Sequence, residues 1–175
     1  MLSRRKSPLQ RKGCHGYSIA ELPAGMIFLF VGVAIPMLIL CSITYRATLL
    51  FFAVRDSCIR AAKAPTYTEA QTRANNSFTR SIAAFSEITG TQQIRILVKP
   101  VNGSAASVVN GPIAQAALNK TDNLYFIREV ATGTVSPLIA MKGGYFGMSI
   151  PGLTTAFNVT FRYDALVENP DGLTE

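Results

Sequence analysis

Glu21 is the residue whose placement most needs a chemical explanation. It follows Gly16 by five positions, in Gly16-Tyr17-Ser18-Ile19-Ala20-Glu21-Leu22, and it opens a long run without charge. An acid at a helix N-terminus gains about 0.3–1 kcal/mol from the helix dipole. Carried deeper into a bilayer, an acid such as Asp costs about 2.5–3.5 kcal/mol, which selects for a partner. Cleavage after Gly16 would supply one, because it frees an amine at Tyr17. A carboxylate at the fifth position of the shortened chain can neutralise that amine on a neighbouring copy. The glycine before the cut would let a peptidase approach the backbone closely. This chemistry belongs to a subunit that assembles, not to a catalyst.

Other chemistries find little support. The sole histidine, His15, lies in the leader that such a cut removes, so Ser-His-Asp and Cys-His arrangements have no base in the shortened chain. With no histidine and one cysteine in the soluble part, a His/Cys metal site is unsupported, and no cofactor is expected. Glu87, Asp122, Glu129, Asp164 and Glu168 are scattered without a pairing motif. Lys142-Gly143-Gly144 and Gly111-Pro112 lack the Lys-Ser/Thr context of a phosphate loop and read as turns. The expectation is a protein that is not an enzyme. Cys14, Cys41 and Cys58 offer no disulfide framework. Cys41 and Cys58, 17 residues apart on one helix, would be separated by about 25 Å. Asn-x-Ser/Thr triplets at Asn75, Asn102, Asn119 and Asn158 would matter only in a secreted glycoprotein.

The elements that position Glu21 follow from charge and hydropathy. The chain has 175 residues and a net charge of +7, but Arg4, Arg5, Lys6, Arg11 and Lys12 fall within the first 16 residues with no acid among them. Such a terminal cluster beside an apolar run is a topology signal, not a nucleic-acid patch, and places the N-terminus in the cytoplasm. Leu22–Tyr45 holds 24 residues without a charge, about 36 Å as a helix and enough for a hydrocarbon core of about 30 Å. Pro23 is expected in the first turn, where its missing N–H is harmless. Pro36 should kink or loosen the helix. Nothing breaks the helix before Pro65, so a spine from about residue 20 to 63 is expected, half of it projecting beyond the bilayer.

The remainder reads as a small head. Thr66-x-x-Glu69 is a capping-box pattern, followed by Ala70, Ala74, Phe78, Ile82 and Phe85 at helical spacing up to Gly90. Strands are expected at Ile94–Val98, Leu124–Val130, Val135–Met141 and Phe157–Tyr163, the last prolonged through Leu166 and Val167. Thr132-Gly133-Thr134 is read as a hairpin turn between the second and third. Pro137 would make the returning strand an edge. The fold expected is α+β: a long N-terminal transmembrane and spine helix, a second amphipathic helix and a small antiparallel β-sheet. Its divisions are a basic leader (1–16), the spine (17–64) and a head (65–175).

The N-terminus resembles the class III signal of type IV prepilins and pseudopilins: a basic leader, then Gly16, Tyr17, Ser18, Ile19, Glu21 and an apolar helix from Leu22. Within that group the chain is most similar to the TadE/TadG-like proteins of tight-adherence (Flp) pilus biogenesis. It shares their proline-containing span and an Ala/Arg-rich continuation, Val54–Ala64. Pro23-Ala24-Gly25 departs from the bulky aliphatics usual after the Glu. The resemblance implies a membrane-anchored pilus-assembly subunit of the bacterial inner membrane with a periplasmic or extracellular head. Its processing site would be Gly16 and Tyr17, and its subunit-pairing residue Glu21. Its partners would be inner-membrane lipid, prepilin peptidase, other pilin or pseudopilin subunits and the assembly platform, with no nucleic acid. Alternatives are a pseudopilin of a type II secretion or competence system, or an unprocessed membrane-anchored periplasmic binding module.

Overall fold

A computed structural model describes residues 17–85, 88–137, 144 and 147–174, with side chains from Leu22 onward. The chain forms two compact units, one up to Leu38 and one from Ile39 to Glu175.

The first unit is helical. Helix α1 (Tyr17–Leu29) leads into a π-helical segment, Phe30–Ala34, and then into α2 (Ile35–Ala62). The π segment is the loosening expected of Pro36. Proline lacks the N–H that would face the Gly32 carbonyl, and the wider register has already begun, with the Ile35 N–H bonded to the Phe30 carbonyl. Pro23 differs from expectation. Because α1 starts at Tyr17, Pro23 is its seventh residue, and its missing N–H falls inside the helix instead of the first turn. The stretch Leu22–Ala62 is long and apolar enough to cross a membrane, with a mean hydropathy of 2.7 in its most apolar window.

The second unit is an α+β head that includes most of α2. Pro65 turns the chain, and α3 (Tyr67–Ala83) starts behind Thr66, whose hydroxyl accepts the Glu69 N–H at 3.2 Å. Ala70, Ala74 and Phe78 are buried as their spacing required. The helix ends at Ala83, so Phe85 lies beyond it and is exposed. Gly90 does not end a helix; it lies within β1.

Four antiparallel strands form one sheet in the order β2-β1-β3-β4: β1 (Ile88–Pro100), β2 (Ser107–Val109), β3 (Asn123–Val135) and β4 (Phe157–Leu166). The central pair, β1 and β3, runs in register along thirteen residues each. This corrects the hairpin expected at Thr132-Gly133-Thr134, because β3 continues straight through it. A returning strand from Val135 is also absent as far as Pro137; its remaining residues up to Met141 lie outside the described residues.

Two glycines explain the straight path. A Cβ on Gly133 would lie 2.5 Å from Leu50 Cδ2, and one on Gly90 would lie 3.4 Å from the Phe78 ring. Gly90 and Gly133 are cross-strand partners, and together they make the hollow in which α2 and α3 seat a large side chain each. Both helices cover the same face. Helix α2 lies over β3 and β4, with the rings of Phe51 and Phe161 5.7 Å apart, and α3 lies over β1. The opposite face carries cross-strand polar pairs: Thr132 with Thr160, Thr134 with Asn158, and a two-point Arg128–Asp164 ion pair at 2.7 and 2.8 Å.

Candidate functional site

The stretch singled out by sequence divides at the edge of the described structure. Gly16 lies outside it. Tyr17 is the first residue of α1 and Glu21 its fifth, so the two positions fall one turn apart on the same side of the helix. Beyond their backbone, Tyr17 and Glu21 lie outside the described residues.

Inside the head, the helix–sheet packing isolates an ionisable group. Strand alternation points Tyr125, Ile127, Glu129 and Ala131 at the helices, and all four are buried. Glu129 is 0 % exposed. It faces α2 at Ser57, a small residue whose Oγ lies 2.6 Å from Glu129 Oε1 and also 2.7 Å from the Ala53 carbonyl oxygen. From β1, the Gln92 amide reaches within 2.6 Å of Oε1, and on its other side within 2.6 Å of Asn75 Oδ1 on α3. Glu129 Oε2 has no hydrogen-bond partner among the described residues. Among the described residues no cation is paired with the carboxyl.

Two proton arrangements fit these distances. With Glu129 ionised, the Ser57 hydroxyl and a Gln92 N–H donate to Oε1, and an ionised Oε2 stays bare. With Glu129 neutral, Oε1–H donates to the Gln92 carbonyl oxygen, the Gln92 amide N–H donates to Asn75, and Ser57 returns its proton to Ala53. The neutral form avoids an uncompensated buried charge. Burial accordingly pushes the Glu129 carboxyl up to about 7, the Ser57 hydrogen bond pulling weakly the other way.

One residue on, Cys58 is fully buried and donates to the carbonyl oxygens of Ile127 (3.2 Å) and Tyr163 (3.5 Å). Burial, with the Glu129 charge adding to it, pushes this thiol up to about 12, so it packs as a small hydrophobe and is no thiolate nucleophile. The carboxyl is buried at the seam where the spine helix meets the sheet, and burial there favours its protonated form.

The other acids stand apart from it. Asp122 accepts from Asn119, Asp164 from Arg128, and Glu168 makes an exposed pair with Lys63 at 3.7 Å. Glu87 lies outside the described residues. Among the described residues no three His, Cys, Asp or Glu side chains are grouped to hold a metal ion. A cleft of about 830 Å³ between α2 and α3 is lined by Arg60, Lys63, Arg73 and Arg80 with Asp56. Arg60 and Ser77 both hydrogen-bond Asp56, and Arg73 pairs with Glu69, so much of that charge is neutralised within the surface.

Sequence reasoning set Glu129 among scattered acids. The signal that singles it out is its register. It stands on the inward side of a strand whose neighbours on that face are Ile127 and Ala131, two residues from each. In comparisons with protein-family models, curated proteins and solved structures, nothing matches this chain.

Proposed function

We propose that this chain is a membrane-anchored, pseudopilin-like subunit that works by association, assembling or initiating a tight-adherence type pilus. The observation that carries the reading is an apolar helix exposed around its whole circumference. Leu22, Met26, Ile27, Phe28, Leu29, Phe30, Met37 and Leu38 are all exposed, a surface suited to lipid and then to neighbouring helices. In this reading the basic leader is cytoplasmic, the anchor crosses the bacterial inner membrane, and the head stands on the far side. The Tyr17 amine exposed by prepilin peptidase pairs with Glu21 of an adjacent subunit. A secretion or competence pseudopilin would use the same N-terminal chemistry.

A second reading, an unprocessed anchored binding module, draws on the 830 Å³ cationic cleft. Charge reversal separates the two. Under the subunit reading, Glu21→Lys loses co-assembly with the pilus while leader removal largely survives. A wild-type chain that keeps its leader and never co-assembles, with a Glu21→Lys variant that inserts and folds as the wild type does, would favour the binding module.

A further inference from the structure

The connection between β3 and β4 is poor in charge, and the described residues at both its ends lie against the lower part of α2. Between Ser136 and Ala156 the only charged residue is Lys142. At the start of the connection, Arg46 Nη1 donates to the Ser136 carbonyl oxygen. Near its end, Gly152 lies so close to α2 that an added Cβ would be 3.4 Å from Ile43 Cδ1. Ile43 and Ile39 belong to the uncharged stretch that closes at Tyr45, about 3 and 9 Å below that residue at 1.5 Å per residue. Ile39 is 1 % exposed although Leu40 beside it is 53 % exposed. The head therefore covers one side of the helix down to a level the uncharged stretch assigns to the bilayer.

We propose that the Met148–Pro151 segment of this connection rests in the surface layer of the membrane crossed by the helix. The proposal depends on reading Leu22–Tyr45 as a span. Two features of the segment fit lipid as its occupant. Gly147 through Pro151 are consecutively exposed, and they present Met148 (58 %) and Ile150 (37 %) with no charge among them. Behind the exposed tip, the backbone of residues 150–155 is closed on itself. The Ile150 N–H bonds Thr154 Oγ1 at 2.9 Å, and the Thr154 and Leu153 N–H groups bond the Ile150 carbonyl oxygen at 2.9 and 3.0 Å. The Gly152 N–H bonds the Thr155 carbonyl oxygen at 2.7 Å. The Thr154 hydroxyl gives its own proton to the Ile150 carbonyl oxygen at 3.1 Å. Tyr45, at the end of the stretch and exposed, is the interfacial residue expected at the same level. The head is thus seated on the bilayer at a second point besides its anchor, which limits its tilt and rotation before assembly.

The chain has no tryptophan, so single substitutions report single depths. The full-length Met148→Trp and Ile150→Trp variants are reconstituted in phosphatidylethanolamine/phosphatidylglycerol vesicles carrying bromines at shallow or deep acyl positions. Phe28→Trp marks the span and Val101→Trp marks an exposed site in the β1–β2 turn. Circular dichroism verifies each fold, and either loop variant suffices. Shallow bromines should quench emission of the loop variants at least twofold more than that of Val101→Trp. Loop variants unquenched beside a quenched Phe28→Trp overturn the proposal and leave the span reading standing. An unquenched Phe28→Trp removes both. Emission from the loop that shifts with protein-to-lipid ratio but ignores bromine assigns the segment to a second copy, which also overturns it.

Discussion

Replacing Glu129 by Gln tests whether the head is built around a neutral acid. The folded carboxyl titrates at about 7 against an ordinary value of 4.5, a gap of about 2.5 pH units, or about 3 kcal/mol at 1.36 kcal/mol per unit. The sign follows from proton counting. Between pH 4.5 and 7 the folded head holds a proton that the unfolded chain has lost, so rising pH favours unfolding. This contribution is fully present below about 4.5, declines through that window and is gone above about 7. Gln keeps the shape and its amide bonds to Ser57 and Gln92 without a charge to desolvate, so it should abolish the decline. Urea unfolding of the full chain in lipid nanodiscs, read by tyrosine fluorescence and by hydrogen exchange in β3, gives the difference between wild type and Glu129→Gln at each pH. The variant should equal wild type within about 1 kcal/mol at pH 4.5 and exceed it by about 2–3 kcal/mol at pH 8. Taking the difference cancels the contributions of other carboxylates. A difference that is flat across pH 4.5–8, or that favours wild type at pH 8, refutes the reasoning.

Gly133→Ala should destabilise the head by about 1–3 kcal/mol, because its Cβ would meet a fully buried Leu50. Leu50→Ala in the same chain should recover part of that loss, so denaturation of the double variant would show less than the summed cost. Thr66→Ala removes the α3 cap and should cost about 1 kcal/mol in the same assay. Asp164→Asn breaks a partly buried two-point ion pair on the outer face and should cost no more than about 1 kcal/mol, with no effect on leader removal.

Legibility from sequence tracked how local the cause was. The β4 alternation, the Thr66 cap and the loosening ahead of Pro36 are set by neighbours a few residues away, and each is found where the spacing put it. Besides Pro23, the errors came from glycines. Gly90 and Gly133 read as punctuation, yet they are cross-strand partners inside the central strand pair, and at Gly133 the Leu50 side chain of α2 occupies the space a Cβ would need. That cause is tertiary and has no local signature. β2, three residues long, is too short to show a period, and it exists because it pairs with Ile96–Val98. The Glu129 node needs residues from four elements, Ser57, Asn75, Gln92 and Glu129, and no spacing along the chain joins them.

The central claim is that the chain is a processed assembling subunit, cut between Gly16 and Tyr17. Intact mass and N-terminal sequence, taken from hosts with and without an active prepilin peptidase, test it most directly. The account predicts a chain that starts at Tyr17 only when the peptidase is active. A chain still starting at Met1 or Leu2 in the presence of the active peptidase would contradict it.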